Sequence, residues 1–232
     1  MRGGVAAIVP AAGAGKRFGS SRRKPFVPLT GVPLLAHTLK ALQASAEIGW
    51  IIVVVRAGDE TRVRQLLRRY RISKALAPCR GGASRAASVA RGFAQVPPQA
   101  RWVLVHDGAR PCVSPGLITQ AVRAARRWGA VACGLPASVT VKAAKTSGLV
   151  RTTLPREALW FIQTPQVFRR DWFAQALARA DHRLGRFPDD AAVVEAAGFP
   201  VRIVRGDPLN LKVTTHGDAW LAEAILKRRA RS

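Results

Sequence analysis

Short apolar runs take turns with helix-period segments along most of this chain, and that alternation is its strongest structural constraint. Val5 to Val9 reads as a buried first strand, Leu34 to Ala44 has helical spacing, and Ile51 to Val55 is a second buried run. Asp59 can cap a helix running to about Tyr70, Ser84 another through Phe93, and Trp102 to Val105 is a third strand. Ser114-Pro115 opens a further helix that Gly129 closes after Trp128, and Ala130 to Leu135 follows as a strand. Strands this apolar have no polar face to offer water, and strands linked through helices run the same way. The expected fold class is therefore α/β, with a mostly parallel sheet covered on both faces. At 232 residues and 48% hydrophobic content, the chain suits one domain with a full core.

Residues 137 to 158 break the rhythm. Val139 and Val141 alternate with polar neighbours, Thr146-Ser147-Gly148 is a turn signal, and Val150, Thr152 and Leu154 alternate again. This is a protruding β-hairpin arm with little apolar surface to bury on its own domain. A two-stranded ribbon is marginal alone, so it packs on something, most economically a second subunit, or remains a simple surface hairpin. Beyond it, Trp160 to Gln163 reads as a strand, Asp171 to Ala180 and Asp190 to Ala197 as helices, the second closed by Gly198, and Val201 to Val204 as a strand. Thr215 and Asp218 start the last helix as a capping box.

Several function classes fall away on composition. Cys79, Cys112 and Cys133 form no CxxC pair, and His37, His106, His182 and His216 show no HxxxH spacing, which argues against a zinc ribbon or a thioredoxin-like site. The longest apolar run, Trp50 to Val55, is far below the ~20 residues of a membrane span. Arg2 followed by Val5 to Ala14 has the outline of a signal peptide, but Pro10 interrupts it and it runs into a phosphate-binding turn. A cytoplasmic, bacterial-type location is the expectation.

Charge is the unusual feature. The 38 basic residues (30 Arg plus 8 Lys) against 13 acidic ones give +25. Such a field draws nucleic acids, acidic lipids or phosphorylated metabolites, although compositional bias with solvated arginine faces is the plainer account. A nucleic-acid-binding module needs aromatic rings interleaved with the charges. The six tryptophans instead fall mainly in apolar strand and helix contexts, and Tyr70 is the one tyrosine.

The chemistry concentrates after the first strand. In Pro10-Ala11-Ala12-Gly13-Ala14-Gly15-Lys16-Arg17-Phe18, small residues let backbone N–H groups approach a phosphate chain, and Arg17 and Lys24 add fixed positive charge. A Walker A loop would need Ser or Thr where Arg17 stands, and a dinucleotide fingerprint a glycine where Phe18 stands. With Lys24-Pro25, the turn resembles the opening of the 2-C-methyl-D-erythritol 4-phosphate cytidylyltransferases. Similar blocks follow in the same order: Gly81-Gly82 with Ser84-Arg85 and Ser88-Val89, Val105 through Pro111, Thr164-Pro165-Gln166, and Asn210 with Lys212-Val213-Thr214. The resemblance spans nearly the whole chain.

That resemblance implies a Rossmann-like nucleotidyltransferase fold, a homodimer with exchanged arms, and a CTP-dependent step of isoprenoid precursor synthesis. It implies that Arg17 and Lys24 bind the CTP phosphates. The backbone of Ala11, Ala12, Gly13, Ala14 and Gly15, with Gly82 and Ser88, would hold cytosine and ribose, and Asp107 would stand near a Mg²⁺ carried in on the triphosphate. Arg110, Thr140, Arg156, Thr164 and Lys212 would hold the sugar phosphate, with Arg156 and Lys212 aligning it for attack. Thr140 and Arg156 belong to the hairpin region, so the acceptor site would span the dimer interface. Plainer readings stay open beside these: Asp107-Gly108 is a common turn pair, Arg110 and Arg156 are surface arginines of a basic chain, and Lys212 snorkels at a strand edge. His106 is expected as a packed or hydrogen-bonded neighbour rather than a ligand.

The chemistry suits the residue types. Attack of an acceptor phosphate on the α-phosphorus brings two polyanions together, so catalysis rests on preplaced cations and backbone dipoles. The acceptor phosphate is already ionised at neutral pH and needs no general base, consistent with the lack of a Ser-His-Asp or Cys-His arrangement. Two departures stand out. Leu209 replaces the acidic residue the family usually carries before Asn-x-Lys, and the basic segment Ser20 to Arg23 has no evident role. The alternatives are a cytidylyltransferase for another polyol phosphate, such as ribitol 5-phosphate, and a basic nucleic-acid-binding module without enzymatic activity.

Overall fold

The computed structural model describes residues 4–13, 18 and 23–230. Strand β1 (Val5–Pro10) leads through a 3-10 turn (Lys24–Phe26) and the small hairpin β2 (Pro28–Leu29) and β3 (Val32–Pro33) to helix α1 (Leu34–Ala44). Then come β4 (Ile48–Val55), α2 (Glu60–Arg69), β5 (Cys79–Arg80), α3 (Arg85–Phe93), β6 (Trp102–Val105), α4 (Pro115–Trp128) and β7 (Ala130–Pro136). The arm is β8 (Val141–Ala144) and β9 (Val150–Leu154). The chain closes with β10 (Trp160–Arg169), α5 (Arg170–Ala180), a 3-10 stretch (Asp181–Arg186), α6 (Asp190–Ala196), β11 (Arg202–Arg205) and α7 (His216–Arg229).

Among the described residues, seven strands form one sheet in the order β11-β7-β10-β6-β1-β4-β5. Neighbours pair in parallel except at β10, which is antiparallel to both β6 and β7. The exception follows from connectivity, because β10 is reached from β7 through the arm rather than a crossover helix, and so returns reversed. Period-two alternation along β1 builds both faces. Val5, Ala7 and Val9 pack with Leu35 and Leu39 of α1, Val63 of α2 and Ile118 of α4. Ala6 and Ile8 pack on the opposite side with Val89 of α3, Phe173 of α5 and Val194 of α6. Each such aliphatic side chain, fully buried, contributes about 1.5–3 kcal/mol, which makes these two layers the main source of stability.

Most predicted caps are present. Ser84 accepts from the Ala87 amide, Ser114 from that of Leu117 with Pro115 at the first turn, and Gly129 takes φ 84° after α4. Thr215 and Asp218 form a complete capping box. Asp59 is a correction: it precedes α2, but its carboxylate makes no capping bond and pairs with Arg23 instead. The strand expected to end at Gln163 runs on to Arg169, because a register shift between Gln163 and Gln166 takes up Pro165, which has no N–H for the ladder. The tryptophans are also less interior than expected. Trp128 and Trp160 are each 38% exposed and Trp220 is 74% exposed, and the guanidiniums of Arg127 and Arg202 stack on Trp128. Helices and strands carry them, but on outward positions, and at Trp128 arginine covers part of the ring.

The arm forms its own two-stranded sheet, with Gly148 at φ 85° in its turn. All of β9 is exposed, and Val139 and Leu149 expose 61% and 62% of their surface.

Candidate active site

Three of the parallel strands, β1, β4 and β6, end on the same side of the sheet, the side where open α/β sheets place their ligands. Two loops hang from the end of β4 there: the Ala11 amide donates to the Val54 carbonyl and the Gly81 amide to that of Val55, each at 2.7 Å. They bound a cleft of about 560 Å³ whose lining includes Ala11, Ala12, Gly13, Lys24, Gly82, Ser88, Asp107 and Lys212. The loops meet so closely that a Cβ on Gly81 would stand 2.5 Å from the Ala12 Cβ. Only glycine permits that approach. The Ser88 hydroxyl accepts from the Gly82 amide at 3.0 Å and donates to the Ser84 carbonyl at 2.8 Å, so it shapes the loop from within.

Asp107, just past β6, is the centre of charge. Its Oδ1 lies 3.1 Å from Arg85 Nε, and its Oδ2 lies 2.7 Å from Lys212 Nζ and 3.7 Å from Arg110 Nε. Burial pushes the carboxyl pKa up, but Arg85, Lys212 and Arg110 together outweigh it and hold the group well below the usual range. Asp107 is therefore ionised at any ordinary pH. Arg85 in turn places Nη1 2.8 Å from Asp190 Oδ2 at the start of α6. Asp190 is 1% exposed, and burial leaves its pKa raised despite the neighbouring guanidinium.

A hydrogen-bonded wall stands behind Asp107. The Asp107 amide donates to Thr164 Oγ1 at 3.0 Å, and Thr164 Oγ1 lies 3.0 Å from His106 Nδ1. His106 Nε2 faces the Arg110 carbonyl at 3.4 Å and so carries the ring proton, leaving Nδ1 to accept from the Thr164 hydroxyl. Burial and the nearby Arg110 lower the His106 pKa to about 4, so the ring is neutral. It is packed and hydrogen-bonded, as expected. Arg110 Nη1 donates to the Asn210 carbonyl at 2.7 Å, and Asn210 Nδ2 to the Thr164 carbonyl at 2.7 Å, which fixes the start of the Lys212 segment against this wall.

Known proteins with this architecture decide the family. A family profile described as "IspD: 2-C-methyl-D-erythritol 4-phosphate cytidylyltransferase" matches residues 5–228. The chain belongs to this IspD family. It is 42% identical over 226 residues to the 2-C-methyl-D-erythritol 4-phosphate cytidylyltransferase of Pelotomaculum thermopropionicum, covering 97% of this chain and 95% of that one. The solved 4-diphosphocytidyl-2C-methyl-D-erythritol synthase from Anaerococcus prevotii superposes with a TM-score of 0.82 at 30% identity, covering 96% of each chain. The cytidylyltransferase structure from Thermus thermophilus gives a TM-score of 0.77 at 34% identity, over 96% of this chain and 98% of that one. The Rossmann-like nucleotidyltransferase fold expected from the sequence is thus the fold of the IspD proteins.

Against this IspD background, the sequence-predicted site residues separate into four groups. Ala11, Ala12, Gly13, Lys24, Gly82, Ser88, Asp107 and Lys212 line one cleft. Arg110 and Thr164 lie buried behind Asp107 rather than on the cleft surface. Thr140 and Arg156 are exposed on and beside the arm, where Arg156 Nη1 lies 3.5 Å from the Ser138 carbonyl. Ala14, Gly15 and Arg17 lie outside the described residues. Sequence reasoning passed over Arg85 and Asp190. Arg85 stood in a quoted block without a role, and Asp190 had only the signature of a helix start.

Among the described residues, no group of three His, Cys, Asp or Glu side chains could cage a metal ion. One buried, ionised carboxylate at the cleft suits a divalent cation that arrives on a triphosphate and gains a single protein oxygen, not a resident ion.

Proposed function

We propose that this chain transfers CMP from CTP to 2-C-methyl-D-erythritol 4-phosphate, forming 4-diphosphocytidyl-2-C-methyl-D-erythritol and pyrophosphate in non-mevalonate isoprenoid precursor synthesis. The observation that carries the reading is the cleft of an IspD-family chain in which Lys24, Lys212 and Asp107 stand around a floor of small residues. An acceptor phosphate oxygen attacks the α-phosphorus of CTP, the bond from that phosphorus to the α,β-bridging oxygen breaks, and pyrophosphate leaves with the electron pair. Negative charge grows on the equatorial and leaving oxygens, and positive groups held in place beforehand lower that barrier.

In this reading Arg17 and Lys24 bind the triphosphate, while backbone from Ala11 to Gly15, with Gly82, receives the cytidine. Ser88 contributes by holding the Gly82 loop in shape. Asp107 would offer a carboxylate oxygen to a Mg²⁺ carried in on the triphosphate, and that ion would supply neutralisation of phosphate charge. Lys212 gives up Asp107 Oδ2 for the acceptor phosphate, so one movement exposes the carboxylate and captures the nucleophile. Arg110 and Thr164 act from behind, by holding the backbone and carboxylate of Asp107 and the Lys212 segment. Thr140 and Arg156, exposed on and beside the arm, would meet the acceptor of a second copy in the proposed homodimer. The exposed apolar surface of Val139, Leu149 and Val150 on the arm, continued by Phe161 at its root, supports a second copy as the cover.

No helix of the described residues is long and apolar enough to cross a membrane; a cytoplasmic enzyme is the proposed setting. Ribitol 5-phosphate as acceptor is not favoured, since the relatives above are named for methylerythritol phosphate. The deciding experiment measures pyrophosphate release with Mg²⁺ over a panel of nucleotides and polyol phosphates. CTP with methylerythritol phosphate should give the highest kcat/KM, and a preference for any other pair would overturn the assignment.

A further inference from the structure

Asp59 stands where a side chain ordinarily caps a helix, yet its carboxylate accepts no amide of α2. It reaches back to Arg23, whose Nη1 lies 2.5 Å from Oδ1. Three residues on, along the same helix face, the Arg62 guanidinium covers the Phe26 ring at 3.9 Å from its centroid. Arg23 and Phe26 bracket Lys24. The Phe26 amide donates to the Arg23 carbonyl at 2.9 Å and the Val27 amide to the Lys24 carbonyl at 3.2 Å, closing the turn between the two grips. Two positions of one helix thus hold both sides of the turn that presents Lys24 to the cleft.

We propose that Asp59 and Arg62 are positioning residues for Lys24, with α2 as the fixed element that sets where the lysine enters the cleft. The proposal rests on the reading of Lys24 as a ligand of the CTP phosphates. A lysine ends in a point charge on a flexible four-carbon stem, so its aim depends on how firmly its backbone is held. The Arg23 side chain is 43% exposed and that of Asp59 9%, so a nearly buried carboxylate reaches outward to a half-exposed guanidinium. Asp59 has helical backbone angles, φ −94° and ψ −5°, rather than the extended ones of a capping residue, and its carboxylate serves the turn instead of the α2 amides. The pair therefore fastens the Lys24 turn to a helix that is itself anchored in the core. It also gives Arg23, in the basic segment left without a role by the sequence, a definite one.

The test begins with Asp59→Asn. Asparagine keeps the size of aspartate and removes its charge, and kinetics read well below the melting temperature of each variant separate misplacement of Lys24 from unfolding. Misplacing a catalytic group by about 1 Å can cost up to about a hundredfold, and a kcat/KM for CTP reduced roughly tenfold or more is expected. Arg23→Gln should give the same loss, and the double variant no more than either single, because one contact is removed once. Amide hydrogen exchange at Phe26 and Val27, read without substrate, should quicken in all three, and Arg62→Gln should quicken it by the second grip. Wild-type kcat/KM in Asp59→Asn, losses that multiply in the double variant, or unchanged exchange at the turn would each overturn the proposal. A wild-type protein inactive on CTP and methylerythritol phosphate would count against the proposed function alone. The exchange measurement would still decide whether α2 holds the turn.

Discussion

Lys212 Nζ lies 2.7 Å from Asp107 Oδ2, so the cation assigned to the acceptor and the carboxylate assigned to the metal hold each other across the cleft. Each is thereby kept in a defined place, and in the proposed reaction each releases the other.

Replacing Lys212 by alanine separates their roles. The acceptor loses a cation that stabilises the attacking phosphate, and removal of one such group typically costs about 10²–10³-fold in turnover. Binding of CTP, which uses other residues, should change little. Steady-state kinetics with both substrates varied, together with calorimetry of CTP binding, checks the split. A loss confined to CTP affinity would contradict it.

Gly81 should tolerate no side chain. An added Cβ meets the Ala12 Cβ at 2.5 Å and the Ser88 hydroxyl at 2.8 Å, so Gly81→Ala must push the two nucleotide-facing loops apart. Overpacking of this kind costs about 1–3 kcal/mol. The KM for CTP should rise severalfold and the midpoint of urea unfolding fall, both measurable on the same preparation.

His106 gives the protein a pH dependence of definite sign. Its pKa is lowered to about 4 in the folded chain, chiefly by burial, from the ordinary 6.5. The unfolded chain therefore takes up a proton that the folded chain refuses, and stability falls as pH drops from about 6.5 toward 4. Urea unfolding should show a loss over that window. In His106→Gln, whose side chain does not titrate, the loss should be smaller.

Asp218 acts in a more acidic window. Hydrogen bonds from Thr214 and Thr215 outweigh the upward push of burial and lower its pKa to about 2, from 3.8. Its contribution is present above pH 3.8 and fades as pH falls toward 2. Asp218→Ala should cost about 1 kcal/mol at neutral pH, the usual worth of a capping residue. The difference from wild type should shrink by pH 2.5, as circular dichroism of thermal unfolding would reveal.

How much of this was legible in the sequence depended on how local the cause was. Ser114-Pro115 and Gly129 mark the ends of one helix within a few residues of the groups they satisfy, and the structure has them doing so. The same holds for Thr215 with Asp218. Asp59 carries a similar capping signal, but its backbone takes helical angles and its carboxylate pairs with Arg23, and nothing adjacent to Asp59 announces that partner. The Arg85–Asp190 contact joins residues 105 positions apart, beyond the reach of any periodicity or motif. The extent of β10 was hidden for another reason. Pro165 reads as a strand breaker, and only the register shift against β7 shows how the ladder accommodates it. Within the site, residue type and offset from the small-residue turn singled out Lys24, and the family resemblance pointed to Asp107 and Lys212, while the service of Ser88 and Thr164 to neighbouring backbone became visible only with coordinates.

One unbroken strand leads from Trp160, at the root of the arm, to Thr164 behind Asp107. Four residues of extended backbone span about 13 Å, with no loop between to absorb motion. Whatever grasps the arm therefore has a mechanical hold on Asp107. With the proposed homodimer as the active form, a preparation diluted until the two copies part should slow down well before it unfolds, and its rate per chain should climb with concentration.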